Sequence, residues 1–167
     1  IVELHRREGY DLGDIAILYR AHYHSMELQM ELSRNQVPFQ ITSGVRFFEQ
    51  AHMKDVAAQL RFASNPGDIV AFNRLVCLLP KVGPKGAERI LKMANEVSEK
   101  ENVDRLNALG SKQVLKKVAA DAREEWPDFV KTLRNIRESM VQDSPEVVVR
   151  TAVEGWYSGY IRQLYDN

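Results

Sequence analysis

A chain of 167 residues with 44% hydrophobic and 8% aromatic content is long enough to bury one core, or two unequal ones. Its 23 basic and 23 acidic side chains cancel, which speaks against a dedicated nucleic-acid binder and leaves charge to be read segment by segment. The apolar runs fall far short of a membrane span, so no membrane partner is expected, and the single Cys77 excludes an internal disulfide and fits a reducing cytosol.

The opening "IVELHRREGYD" has neither a signal peptide's apolar core nor an initiator Met, so the chain reads as an excised piece of a longer protein. "DIAILYR" (Asp14 to Arg20) is a short β-branched and apolar run after Gly13, the pattern of a buried strand. "HSMELQMELSRNQ" follows with helix formers, Ser25 in position to cap it and Leu28 and Leu32 four apart. "VPFQIT" (Val37 to Thr42) is a second strand-like run, with Pro38 near its start where a missing N–H is tolerated. Strand, helix, strand predicts a β-α-β unit over residues 1–43, the torn edge of a larger α/β domain, since two strands make no stable sheet alone.

Residues 44–167 read as an all-helical body. Met53, Val56, Ala57, Leu60 and Ala63 fall on one predicted stripe, which "SNPGD" (Ser64 to Asp68) ends with Asn, Pro and Gly. The next helix should bury Ala71, Phe72, Leu75, Val76 and Leu79. "LGSKQ" (Leu109 to Gln113) marks a further joint, beyond which Val114, Val118 and Ala122 continue a helix. Trp126, Phe129, Val130, Leu133 and Ile136 form a wide apolar face running toward Met140. Ser144-Pro145 predicts an N-cap followed by Pro in the first turn, and the last helix carries Tyr157, Tyr160, Ile161 and Leu164.

One stretch gathers charge: "LLPKVGPKGAERIL" (Leu78 to Leu91), in which Lys81, Lys85, Arg89 and Lys92 are spaced by four, four and three. On a helix they would share a face, with Glu88 as the nearby counter-charge. Val82, Gly83, Lys85 and Gly86 form the turn and helix start of a helix-hairpin-helix pattern. Glycine lets backbone approach a phosphate without an intervening Cβ, and the opening N–H groups of the helix are donors. Such a contact would read phosphates and no base edges. The plain alternative is a helix-turn-helix with a solvated basic face.

Other motifs carry less. Lys112, Lys116 and Lys117 read best as a solvated face. His5, His22, His24 and His52 meet no carboxylate or cysteine at a metal-ligand spacing, so no metal or cofactor is expected in the chain itself. Neither a nucleophile elbow nor a Gly-x-x-x-x-Gly-Lys-Ser/Thr phosphate loop is present, so no catalytic residue is assigned. "GVRFFEQAHMKD" (Gly44 to Asp55) sets Arg46, Phe47 and Phe48 after a glycine; the two rings read as a plug between domains ahead of a base-stacking platform.

Taken in order, "DIAILYR", "PFQI", "RFFE", "KD", "NPGD", "AFNR" and "VGPKGAERIL" resemble the superfamily 1 DNA helicases of the UvrD/PcrA/Rep type. The likeness is close from Gly9 to Leu91 and looser through "SPEVVVRTAVEGWYSGYIRQL". The resemblance implies that residues 1–43 are an edge of the RecA-like 2A domain and that 44–167 are a helical 2B-like insertion, incomplete at its C-terminus. It implies a parent that is a cytoplasmic, bacterial, ATP-dependent 3′ to 5′ helicase of replication or repair. ATP and Mg2+ would be its cofactors, and DNA at a single-strand/duplex junction, its own other domains and repair proteins its partners. By the same likeness Tyr19, Arg20 and Ser25 would contact single-stranded DNA, although Met26 and Gln29 replace the family's usual Arg and Glu. Gly44, Arg46, Phe47 and Phe48 would link the domains. Lys81, Val82, Gly83, Lys85, Gly86 and Arg89 would grip duplex, with Lys81 standing where many relatives have Gly. The rival expectation, favoured by zero net charge, is a protein-interaction and autoinhibitory module with little DNA binding of its own.

Overall fold

The computed structural model describes residues 1–20, 22–41 and 50–165. They divide into two compact units, Ile1–Met53 and Lys54–Asn167.

The first unit holds α1 (Val2–Glu8), closed by Gly9 at φ 77, then a 3-10 turn (Leu12–Asp14) and α2 (His22–Arg34). The expected β-α-β edge is not what forms: among the described residues there is no strand. "DIAILYR" runs on from the 3-10 turn without regular structure, Leu18 being 96% exposed, and Val37 to Ile41 are likewise irregular. A strand is stabilised by ladder bonds to a neighbour, and neither run has one here. Ser25 is also not a cap. It lies inside α2, is buried, and its hydroxyl accepts a hydrogen bond from the Gln29 amide at 2.9 Å.

The second unit is helical: α3 (Ala51–Ser64, beginning in the first unit), α4 (Ile69–Val76), α5 (Pro84–Glu101), α6 (Arg105–Ala108), α7 (Lys112–Leu115), α8 (Trp126–Gln142), α9 (Pro145–Glu154) and α10 (Trp156–Tyr165). Helices α4, α6 and α7 pack on α5, α6 also packs on α8, and α8, α9 and α10 pack on one another. Phe62, Phe72, Leu75, Ile90, Leu106, Leu109, Phe129, Leu133 and Ile136 are the fully buried centre. Every residue predicted for the inner faces of α4 and α8 is buried, Leu79 just beyond the end of α4, and Thr132 joins the α8 face unpredicted. Beyond α7 the expected helix does not continue. Arg123 donates to the Val118 and Lys116 carbonyls, and a 3-10 turn (Ala120–Ala122) intervenes, yet Val114, Val118 and Ala122 all remain buried.

Side-chain caps start α4, α6 and α7. Asp68 accepts from the Ala71 N–H, Asp104 from Asn107, and Ser111 from Val114. Ser144 sits at the N-cap position of α9 without a capping hydrogen bond, ahead of Pro145. The Asp68 carboxyl is held below the ordinary 3.8 by the Ala71 N–H and by Arg61, against the opposing effect of burial. At Asp104 burial pushes upward and is outweighed by the Asn107 N–H and the Arg137 guanidinium, so its pKa is also lowered. Groups depressed on folding stabilise the fold above the unfolded pKa and cease to do so as pH falls through the folded one. The double variant Asp68→Asn/Asp104→Asn should therefore show a flatter loss of stability as pH falls below about 4 in denaturant melts at stepped pH.

The buried face of α3 is rotated from the predicted stripe. Asp55, Ala58, Gln59, Phe62 and Ala63 are inside, and Ala57 is exposed. Two polar residues at i and i+4 sit on that face, which hydropathy alone assigns to solvent. Asp55 is admitted because it is fully engaged: Arg74 Nε and Nη2 donate to Oδ1, each at 2.7 Å, and the Tyr157 hydroxyl donates to Oδ2 at 2.8 Å. Gln59, 1% exposed, has no hydrogen-bond partner for either amide atom among the described residues. A buried unpaired amide costs about 1–3 kcal/mol, so Gln59→Met should raise stability by about 1 kcal/mol, read from the urea midpoint at unchanged slope.

Candidate nucleic-acid interface

Helix α4 stops at Val76, and Cys77 to Gly83 turn the chain into α5. Leu79 and Val82 anchor the turn in the core, and the Val82 N–H donates to the Leu79 carbonyl at 3.2 Å. Between these anchors Lys81 takes φ 55, a left-handed conformation that costs a side-chain-bearing residue roughly 1 kcal/mol. It is exposed and precedes α5, so it does not share the helical face of Lys85, Arg89 and Lys92 that the spacing predicted. The ammonium instead stands on the turn, ahead of the helix start.

The two glycines of the turn differ. A Cβ on Gly86 would lie 3.3 Å from Val82 Cγ1, a tight contact that the Val82 side chain would have to ease by a few tenths of an ångström. Gly83 has φ −99 and ψ −177, open to any residue, and a Cβ on it would meet nothing within 4 Å. Nothing among the described residues therefore requires glycine at 83. Gly83 is also the N-cap of α5 and has no side chain to offer, while Pro84 opens the helix without an N–H. The N–H groups of Lys85 and Gly86 are thus left without an intrahelical acceptor at the positive end of an 18-residue helix. Lys81, Lys85 and Arg89 are exposed, and none takes part in an ion pair among the described residues. Unpaired backbone donors at a helix start, with three exposed cations within a few positions of Gly83 along the chain, are a combination that favours anions.

The remaining predicted residues belong to other parts of the chain. Tyr19 is half-buried and Arg20 exposed in the irregular run of the first unit, where Ser25 is buried as described. Gly44, Arg46, Phe47 and Phe48 lie outside the described residues. Lys112, Lys116 and Lys117 are exposed on and just after α7. No group of three or more His, Cys, Asp or Glu able to hold a metal occurs among the described residues, nor does a helix long and apolar enough to cross a membrane. The sequence reading missed the Asp55, Arg74 and Tyr157 cluster that fixes α4, and with it the turn, to α3 and α10. The available signal was Asp55 and Gln59 sharing one face with Phe62.

Known proteins are similar to this sequence. DNA helicase II of Rickettsia typhi is 29% identical over 170 residues, covering 99% of this chain and 24% of the relative. ATP-dependent DNA helicase PcrA of Bacillus subtilis is 29% identical over 157 residues, covering 90% of the chain and 21% of the relative. ATP-dependent DNA helicase UvrD1 of Mycobacterium bovis is 38% identical over 71 residues, covering 41% and 9%. The chain thus spans about a quarter or less of the length of these relatives. The family model of the UvrD-like helicase C-terminal domain matches residues 1–104, more than half of the 167, and the chain belongs to that family.

Proposed function

We propose that this chain is the duplex-gripping part of a longer ATP-dependent 3′ to 5′ DNA helicase, and that the turn from Lys81 to Arg89 holds the phosphate backbone ahead of the junction. The observation that carries this is Gly83: an exposed glycine at the start of a helix, needed by no neighbour among the described residues, with exposed Lys81, Lys85 and Arg89 close to it in the chain. In this reading residues 1–43 are an edge of the 2A domain and 44–167 a 2B-like helical body, with the turn acting as a helix-hairpin-helix. Tyr19 and Arg20 meet the single strand, and Ser25 serves by ordering α2. Gly44, Arg46, Phe47 and Phe48 join the two parts. ATP and Mg2+ belong to the longer, cytoplasmic protein, as the names of its relatives support for ATP.

The test separates ligand need from fold need. Gly83→Ala should leave stability nearly unchanged, because the loss of glycine's capping advantage and the gain from a stiffer unfolded chain are each below about 1 kcal/mol and oppose one another. It should still weaken binding to a labelled DNA hairpin with a 3′ single-stranded tail, since the methyl group stands where phosphate would approach. Lys81→Gly should raise stability by up to about 1 kcal/mol as the left-handed strain is relieved, and should likewise weaken binding. Unaltered DNA affinity in both variants would end the assignment.

A further inference from the structure

We propose that the groove between α8 and α10 seats an arginine side chain presented by a protein partner. The groove, about 440 Å³, is walled by Glu125, Asp128 and Lys131 on one side and by Trp156, Gly159 and Tyr160 on the other. It lies wholly within the second unit and has no part in the phosphate site.

Its chemistry selects a cation. The Trp156 indole N–H donates to Glu125 Oε2 at 3.1 Å, which orients that carboxylate and leaves Oε1 without a hydrogen-bond partner among the described residues. Elsewhere arginines pair with Glu3, Glu31, Asp55, Asp68, Asp104 and Glu146, but Glu125 and Asp128 enter none of the ion pairs of the described residues. Two carboxylates against the one ammonium of Lys131 give the groove a negative balance, which disfavours a phosphate-bearing strand. Tyr160, partly exposed, lends the groove an aromatic edge beside the buried Trp156, the two rings lying 6.0 Å apart at 26°. A planar fork of donors beside two carboxylates and a ring fits arginine better than lysine, whose ammonium is a point charge.

The groove is also open where the fold does not need it to be. Gly159 sits inside α10, where glycine costs about 1 kcal/mol relative to alanine, yet a Cβ there would meet nothing within 4 Å. Its bareness widens the groove and serves no packing contact.

The test uses the two tryptophans, which give two indole N–H resonances in the 15N-labelled full chain. Trp126 donates to the Leu109 carbonyl in the core and serves as the internal control. Titration with acetyl-Gly-Ser-Arg-Ser-Gly-amide should move the Trp156 indole saturably and leave Trp126 still. The citrulline counterpart, which has the same shape without the charge, should bind at least about tenfold more weakly, as should the arginine peptide to Glu125→Gln. Gly159→Arg places a guanidinium in the groove from the chain itself and should abolish the shift with an unchanged circular dichroism spectrum. Equal response to arginine and citrulline, persistence of the shift in Gly159→Arg, no shift at millimolar peptide, or a shift caused by an oligothymidylate in place of the peptide would each overturn the proposal.

Discussion

Replacing Lys85 and Arg89 together by glutamate should cut the log–log salt dependence of duplex binding by about 1.8, roughly 0.9 for each phosphate no longer neutralised. Both side chains are exposed, on the first two turns of α5, and unpaired among the described residues, so their reversal removes binding charge without disturbing a native ion pair. Urea melts should show near-wild-type stability. The double variant Lys112→Glu/Lys116→Glu changes the same formal charge on α7 and should leave the slope in place if those lysines are a solvated face. A slope lowered equally by both double variants would mean diffuse attraction with no seated backbone. A slope unchanged by the Lys85 and Arg89 reversal would mean that the turn does not grip DNA.

The largest effect on stability is expected at Asp55. Asp55→Ala removes the acceptor of two Arg74 donors and of the Tyr157 hydroxyl, taking one hydrogen bond from a buried phenol and a buried carboxylate from a guanidinium. Breaking a fully buried pair costs about 3–5 kcal/mol; Arg74 retains 37% side-chain exposure and can be partly rehydrated, so a loss of about 2–3 kcal/mol is expected. Tyr157→Phe, which deletes one hydrogen bond, should cost about 1 kcal/mol. A double-mutant cycle of the two should show coupling, because both act on the same carboxylate. Because Asp55 ties the helix leading into the turn to α3 and α10, the same variant tests whether the turn's geometry depends on that tie. DNA binding measured well below the melting temperature should weaken even where the protein remains folded.

How far the fold was legible can be judged from three helices. In α4 and α8 the apolar positions recur at helical spacing, so Phe72, Leu75, Phe129, Leu133 and Ile136 could be assigned to the core from local pattern alone. In α3 the same procedure gave a stripe rotated from the buried one: Ala63 is inside and Val56 and Leu60 pack against the core, but Asp55 and Gln59 were left out. Asp55 and Gln59 look like solvent residues until Arg74 and Tyr157, 19 and 102 positions away, are brought to meet the carboxylate. The first unit failed for a related reason. "DIAILYR" and "VPFQIT" have strand composition, but composition does not supply the neighbouring strand that a ladder requires.

The candidate site divides along the same line. Sequence by itself determined that basic residues and two glycines surround a helix start, because these are statements about neighbours along the chain and the rules of helix beginnings are local. It also determined the buried faces of α4 and α8, where hydropathy and helical period agree. Only the tertiary structure decided that Lys81 is off the helix at φ 55, that Gly86 lies close to Val82, and that Gly83 has open space around it among the described residues. It alone decided that Asp55 belongs inside, and that Glu125 and Trp156, 31 positions apart, share a groove with Gly159. The physical reason is one of range. Backbone propensity and amphipathic period act within a few residues, whereas the space left for a Cβ and the partner of a buried charge are set by atoms that the chain brings back from far away.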